Sequence, residues 1–261
     1  MVNIYDPTIF ETEFEGRKFV CPVTGKGSWS TQVNSSSVSS LDHGEIKYKT
    51  MKYLSDNELN KESVIIEAFS GIGFSGYLYS RNAKMVHCIE QDNDVFGSLE
   101  KNIGYYPNVK LYHDNNVNVL ENLVLDGVKA NLIDLDPFQN FWEQLPFVPY
   151  LMDSGILILT DGSIDHIQRF GSKTFKRYGD LMKYKGRNSY KWVTEIFIPY
   201  VKSQINVEVQ YFYVFRRIVR LITTYNGYQL KPETKKFFGS LPNYFGEYAY
   251  LEQGRGTQKM F

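Results

Sequence analysis

Ser63-Val-Ile-Ile-Glu-Ala-Phe-Ser-Gly-Ile-Gly-Phe-Ser-Gly76 is the stretch that decides the fold. Val64–Phe69 is a short, mostly apolar run, the pattern of a parallel strand buried on both faces. It leads into Gly71-Ile-Gly-Phe-Ser-Gly76, a GxGxxG sequence. Glycines let the backbone turn tightly and approach a ligand, and a helix that follows offers its free N–H groups. The spacing therefore predicts a strand, a glycine-rich turn and a helix over Gly76–Arg81. By itself it suits a dinucleotide as well as other nucleoside cofactors.

The alternation continues downstream. Strands are expected at Met85–Ile89, Val109–Tyr112, Ala130–Leu135 and Gly155–Thr160. Helices are expected at Asn93–Ile103, Asn116–Asp126 and Phe141–Met152, the last broken or kinked by Pro146 and Pro149. This pattern predicts an α/β fold with an open, mostly parallel, doubly wound Rossmann-like sheet. Ser189–Ile205 reads as helix, and Val207–Phe215 with Ile218–Tyr225 as an antiparallel C-terminal hairpin that closes the sheet. Upstream, Arg17–Pro22 is strand-like and the serine-rich Asn34–Ser40 reads as loop. The expected organisation is an N-terminal arm over 1–45, the Rossmann-like domain over 46–225 and a tail over 226–261.

A length of 261 residues suits one large α/β domain, and a 43% hydrophobic share argues against disorder. No apolar run approaches the roughly 20 residues of a membrane span. The acidic start (Asp6, Glu11, Glu13, Glu15) is unlike a signal peptide. Cys21 and Cys88 stand apart with no CxxC pair, which predicts a reducing, cytoplasmic setting and no metal site. Oligomeric state is left open. The net charge of zero hides an asymmetry. Through His166 there are 12 basic and 23 acidic residues (12 − 23 = −11), and from Arg169 onward 17 and 6 (17 − 6 = +11). The second half is built to meet a polyanion.

Candidate site residues follow from the strand ends. Glu90 lies 90 − 71 = 19 residues beyond Gly71, where a carboxylate can accept ribose hydroxyl protons. Glu67 stands just before the loop, where it would repel a pyrophosphate by Coulomb's law, which disfavours NAD. Asp114 and Asn115 follow the third strand, placed either to accept from an adenine amino group or to cap the next helix. Asn131-Leu-Ile-Asp-Leu-Asp-Pro-Phe138 closes the fourth strand of the alternation. Methylating an exocyclic amine needs its lone pair freed from the base, which hydrogen bonds to both N–H groups promote. Asp136 can accept one N–H and the Pro137 carbonyl the other, and Phe138 offers a face for the base, worth roughly 1–3 kcal/mol. The alternative is a helix entry in which Asp136 only caps Pro137.

Glu67-Ala-Phe-Ser-Gly-Ile-Gly73 resembles motif I of class I methyltransferases, whose acidic residue helps hold the methionine ammonium. Asp134-Leu-Asp-Pro-Phe138, Gly155–Asp161 and Lys176-Arg-Tyr-Gly179 resemble the tRNA (guanine-N2) dimethyltransferases, with their DxDPF motif, a strand ending in Thr and Asp, and a later K/R-Y-G. Glu195–Ile205 and Tyr213–Ile222 are more loosely similar to that family's last helix and strand pair. The resemblance spans roughly Glu15–Tyr225. It implies S-adenosyl-L-methionine as methyl donor, guanine N2 as acceptor and tRNA as substrate. It makes Asp136 the catalytic carboxylate, with Pro137 and Phe138 beside it. The implied cofactor set is Glu67, Phe69, Ser70, Gly71, Gly73, Glu90, Gln91, Asp114, Asn115 and Asp134. Three departures stand out. Gln139-Asn140-Phe141 replaces the family's Gly-Ser-Pro after DPF, the N-terminal Asn-Arg-Asp element is missing, and only 261 − 225 = 36 residues follow Tyr225, too few for the family's C-terminal RNA-binding domain.

The segment after the fifth strand carries Arg169, Lys173, Lys176, Arg177, Lys183, Lys185, Arg187 and Lys191 against one acid, Asp180. Tyr178, Tyr184, Tyr190 and Trp192 are interleaved. Cations reach phosphates and aromatics stack on unpaired bases, so RNA is the expected partner. Arg216, Arg217 and Arg220 would extend the patch or keep the hairpin soluble. Two other functions fit part of this pattern: a DNA amino-methyltransferase, and a non-catalytic protein that binds S-adenosylmethionine or nucleic acid.

Overall fold

The computed structural model describes residues 9–22, 38–137, 140–162, 189–215 and 218–241. The fold is α/β, with a seven-stranded, mostly parallel sheet in the order β5-β4-β3-β6-β7-β9-β8. Its strands are β3 (Val64–Glu67), β4 (Met85–Ile89), β5 (Val109–Tyr112), β6 (Leu132–Leu135), β7 (Gly155–Asp161), β8 (Val207–Phe215) and β9 (Ile218–Tyr225). The chain divides into two compact units, Met1–Asp134 with Pro146–Asp153, and Leu135–Leu145 with Ser154–Phe261.

In the first unit β3 pairs in parallel with β4 on one side and β6 on the other, and β4 pairs with β5. The chain thus moves outward through β4 and β5, then returns to the far side of β3. In open α/β sheets such a reversal marks the ligand crevice at the carboxyl ends of the strands. Ile65, Ile66, Val86, Ile89, Leu132 and Ile133 are buried, as continuous apolar runs in a doubly covered sheet require. Helices α2 (Phe74–Ser80), α3 (Asn93–Ile103) and α4 (Asn116–Leu125) follow β3, β4 and β5 in turn. Gly76 sets how closely α2 lies on the sheet. A Cβ there would stand 2.9 Å from Cys88 Sγ on β4 and 2.9 Å from Ile103 Cδ1 on α3.

Three features here depart from the sequence expectation. The arm contains an antiparallel hairpin, β1 (Ile9–Phe14) and β2 (Arg17–Pro22), turned at Glu15-Gly16 with φ of 53° and 71°. Asn102 of α3 ties this hairpin down. Its amide accepts from Val20 N (2.7 Å) and donates to Val20 O and Ile72 O (both 2.9 Å). The second departure is α1 (Val38–Asn57), a helix that begins inside the stretch read as loop. Serine favours turns locally, but Ile46, Thr50 and Leu54 are buried at a four-residue spacing, so tertiary packing decides. The helix expected over Phe141–Met152 is shorter than predicted. Only a 3₁₀ turn (Leu145–Phe147) and one helical turn, α5 (Val148–Leu151), form, because Pro146 and Pro149 supply no N–H.

In the second unit β9 lies between β7 and β8, antiparallel to both, as the hairpin reading predicts. The helix expected over Ser189–Ile205 consists of α6 (Ser189–Trp192), a π turn at Val193–Phe197 and α7 (Ile198–Gln204). Pro199 lacks an N–H, which interrupts the ladder and widens the preceding turn. The unplaced tail supplies α8 (Pro232–Ser240), whose Phe238 stacks on Tyr211 of β8 with ring centroids 5.6 Å apart.

Candidate active site

The glycine loop begins where β3 ends. Gly71 and Gly73 have φ of 53° and 96°, left-handed values that favour glycine, and Gly73 N bonds back to Ser70 O at 3.0 Å. Ser70 N reaches Ile89 O of β4 (2.9 Å), and Gly71 N donates to Glu90 Oε2 (3.0 Å). Glu90 Oε1 accepts from Asp92 N at 2.9 Å. Backbone donors that include Gly71 N and Asp92 N thus orient the Glu90 carboxylate at the end of β4. Phe69 is half-buried in the loop and Ser70 is buried, its hydroxyl donating to Glu67 O (3.1 Å).

Beneath the loop lie two buried carboxylates. Glu67 and Asp134 are register partners on β3 and β6, 2% and 1% exposed. Tyr79 of α2 donates its hydroxyl to Asp134 Oδ2 at 2.8 Å, and the Cys88 thiol lies 3.7 Å from Glu67 Oε2. Burial, reinforced by the negative charge of Asp134, pushes the Glu67 carboxyl up to about 8. Negative charge held by these carboxylates favours a cationic ligand group over a phosphate at this strand end.

The third strand end behaves differently. Asn115 caps α4 through Val117 N (2.9 Å), and Asp114 Oδ1 accepts from Asn115 N (2.6 Å). Both are exposed, as is Gln91, whose amide oxygen is 3.4 Å from Asn115 Nδ2. These contacts give Asn115 a capping role. Behind it the exposed His113 stacks on Phe96 of α3 at 4.3 Å with an interplanar angle of 8°.

The second unit holds Asp136 and Pro137. Pro137 is buried, and the Asp136 side chain is 18% exposed. Asp136 Oδ2 lies 3.1 Å from Arg220 Nη1, which also donates to Thr160 Oγ1 at 2.7 Å. Arg220 is 1% exposed, which corrects the expectation that it extends a basic surface or solubilises the hairpin. Sequence reading also missed the Tyr79–Asp134 contact. Neither partner carries a local signal, since each meets its carboxylate through tertiary folding.

Phe138 lies outside the described residues, as do Arg169, Lys173, Lys176, Arg177, Lys183, Lys185 and Arg187. Lys191, at the start of the helix that carries Trp192, is exposed. No metal-binding group of three His, Cys, Asp or Glu occurs among the described residues, and no helix there is long and apolar enough to cross a membrane.

No family model matches the chain. Its fold is similar to that of Trm1 from Pyrococcus horikoshii, solved with S-adenosyl-L-methionine, at TM-score 0.63 and 14% identity over 88% of this chain and 64% of that one. It is similar to the M. jannaschii tRNA m1G37 methyltransferase at TM-score 0.53 and 14% identity, over 85% and 58%. TYW2 from M. jannaschii in complex with AdoMet gives TM-score 0.50 and 16% identity, over 83% and 84%. The chain spans less than two-thirds of the first two proteins.

Proposed function

We propose that this protein is an S-adenosylmethionine-dependent methyltransferase acting on an exocyclic amine of a nucleic-acid base, guanine N2 of a tRNA. The observation that carries the reading is the Asp136 carboxylate, partly exposed and charge-paired, one residue after the end of β6 and joined to Pro137. Similar folds in Trm1, solved with S-adenosyl-L-methionine, and in a tRNA m1G37 methyltransferase support it.

The residues of the first unit fit this cofactor. Glu90, oriented by Gly71 N and Asp92 N, has lone pairs for ribose hydroxyls. The Glu67–Asp134 pair supplies the negative field that a methionine ammonium or a sulfonium requires and a pyrophosphate does not tolerate. When bound, the cofactor supplies an electrophilic methyl group. Asp136 accepts one N–H of the guanine amine and the Pro137 carbonyl accepts the other, which turns the nitrogen lone pair toward that methyl. Transfer would form the N–C bond as the donor's S–C bond breaks, its electron pair returning to sulfur, and the proton would pass to Asp136 and from there to solvent. Orientation of the amine supplies much of the acceleration. The basic segment from Arg169 to Lys191 would hold the RNA backbone.

The test is Asp136→Ala, with Asp136→Asn beside it, assayed with methyl-labelled S-adenosylmethionine and unmodified tRNA transcripts. By analogy with loss of one oxyanion-hole donor, kcat should fall roughly 10²–10³-fold with cofactor affinity retained. Near-normal methyl transfer by Asp136→Ala would reduce the DP segment to a helix entry and remove the proposal.

A further inference from the structure

Arg220 is a charged side chain buried within a strand. It sits mid-strand on β9 between Val219 and Leu221, directly opposite Thr160 of β7 and Tyr213 of β8. Residues opposed in an antiparallel sheet share a face, so the three line one row. The guanidinium is taken almost wholly out of water, a desolvation cost that an apolar residue of similar volume would avoid. Stability alone therefore does not select it. What it gains is geometry. One nitrogen, Nη1, meets both the Thr160 hydroxyl (2.7 Å) and Asp136 Oδ2 (3.1 Å). Thr160 is itself held in register with Arg220 on β7, so the guanidinium has a fixed seat.

Resting on the catalytic role proposed for Asp136, we propose that Arg220 is a positioning residue for methyl transfer, its guanidinium locking the Asp136 carboxylate in the orientation that receives the acceptor amine. Binding one carboxylate oxygen restrains rotation of the side chain and presents the carboxylate to the incoming N–H. A carboxylate held this way accepts the proton without reorganising, the condition for efficient proton transfer in a preorganised site. The charge of Arg220 also balances that of Asp136 within a largely dry environment. Lysine would keep the charge but carry it on a shorter, more freely rotating ammonium in place of the rigid planar guanidinium.

The experiment compares the unmodified chain, Arg220→Lys, Asp136→Ala and the double variant, using methyl-labelled S-adenosylmethionine and unmodified tRNA transcripts. Arg220→Lys should lower kcat about 10–100-fold, with KM for tRNA and cofactor affinity within about 2-fold. The double variant should be no slower than Asp136→Ala, because the arginine acts only through the carboxylate. A purely structural arginine would lower Tm and leave kcat intact well below it. Should Arg220→Lys fail to fold, Thr160→Val removes the hydroxyl that seats Nη1 and should lower kcat by about 3–10-fold. Unchanged kcat in the folded variant, or a double variant slower than Asp136→Ala by the full Arg220 factor, overturns the positioning role. Near-normal transfer by Asp136→Ala instead overturns the catalytic reading beneath it, so the two failures are told apart.

Discussion

The two carboxylates that matter most here, Glu90 and Asp136, are held by different means. Glu90 is oriented by the backbone, from Gly71 N and Asp92 N, both within 19 residues of it. Asp136 is oriented by a side chain, Arg220, that lies 220 − 136 = 84 residues away and is buried on another strand. Backbone anchoring is set by a turn and needs only glycine and spacing. Side-chain anchoring needs a register between strands and a desolvated charge. The cofactor side should therefore tolerate substitution of its neighbours, whereas the acceptor side should respond to changes far along the chain.

The largest expected effect outside the DP segment is on the nucleic acid. Reversing Lys183, Lys185 and Arg187 to glutamate should weaken RNA binding by roughly 10²-fold at physiological salt and flatten its salt dependence, with cofactor affinity unchanged. A filter-binding series in salt would read this. Unchanged affinity would leave the segment as a solvated surface and confine the acceptor side to its DP segment.

Glu90→Ala should act on the other side of the comparison alone. Losing charge-assisted bonds to ribose hydroxyls, worth about 1.5–3 kcal/mol, should raise the Kd for S-adenosylmethionine about 10–100-fold, with kcat at saturating cofactor little changed. Calorimetric titration gives the Kd. A loss of kcat with unchanged Kd would place Glu90 on the acceptor side and break the division.

The smallest effect is on pH dependence. The Glu67 carboxyl is pushed up to about 8 by burial and by Asp134, above its value in the unfolded chain. Its contribution to stability is therefore fully present below its unfolded value of 4.5 and is lost as pH rises through about 8. Glu67→Gln cannot ionise, so its Tm relative to the parent chain should rise between about pH 6 and about pH 9. A constant difference across that range would mean that Glu67 is already ionised near neutrality.

What was legible in the sequence tracks the same division. The strands β3 to β7 and the turn at Gly71–Gly73 follow from apolar runs and glycine spacing, which are local signals, and the order of elements follows from their alternation. Pro146 and Pro149 marked a break and were outweighed by the helical spacing of their neighbours. The start of α1 was hidden by its serines, since burial of Ile46, Thr50 and Leu54 is a tertiary fact. Arg220 looked like one of three surface arginines. Nothing in Ile218–Tyr225 shows that it faces Thr160, because register across β7, β9 and β8 is set by the whole sheet.

The proposed reaction places a methyl group on the exocyclic amine of guanine in RNA. The most direct measurement incubates the chain with methyl-labelled S-adenosylmethionine and unmodified tRNA transcripts, digests the RNA to nucleosides and separates them by mass spectrometry. An Asp136–Pro137 acceptor pair built for two N–H groups predicts label in N2-methylguanosine or its dimethyl form, absent with Asp136→Ala. Label in N1-methylguanosine, label in DNA alone, or no label at all would contradict the account.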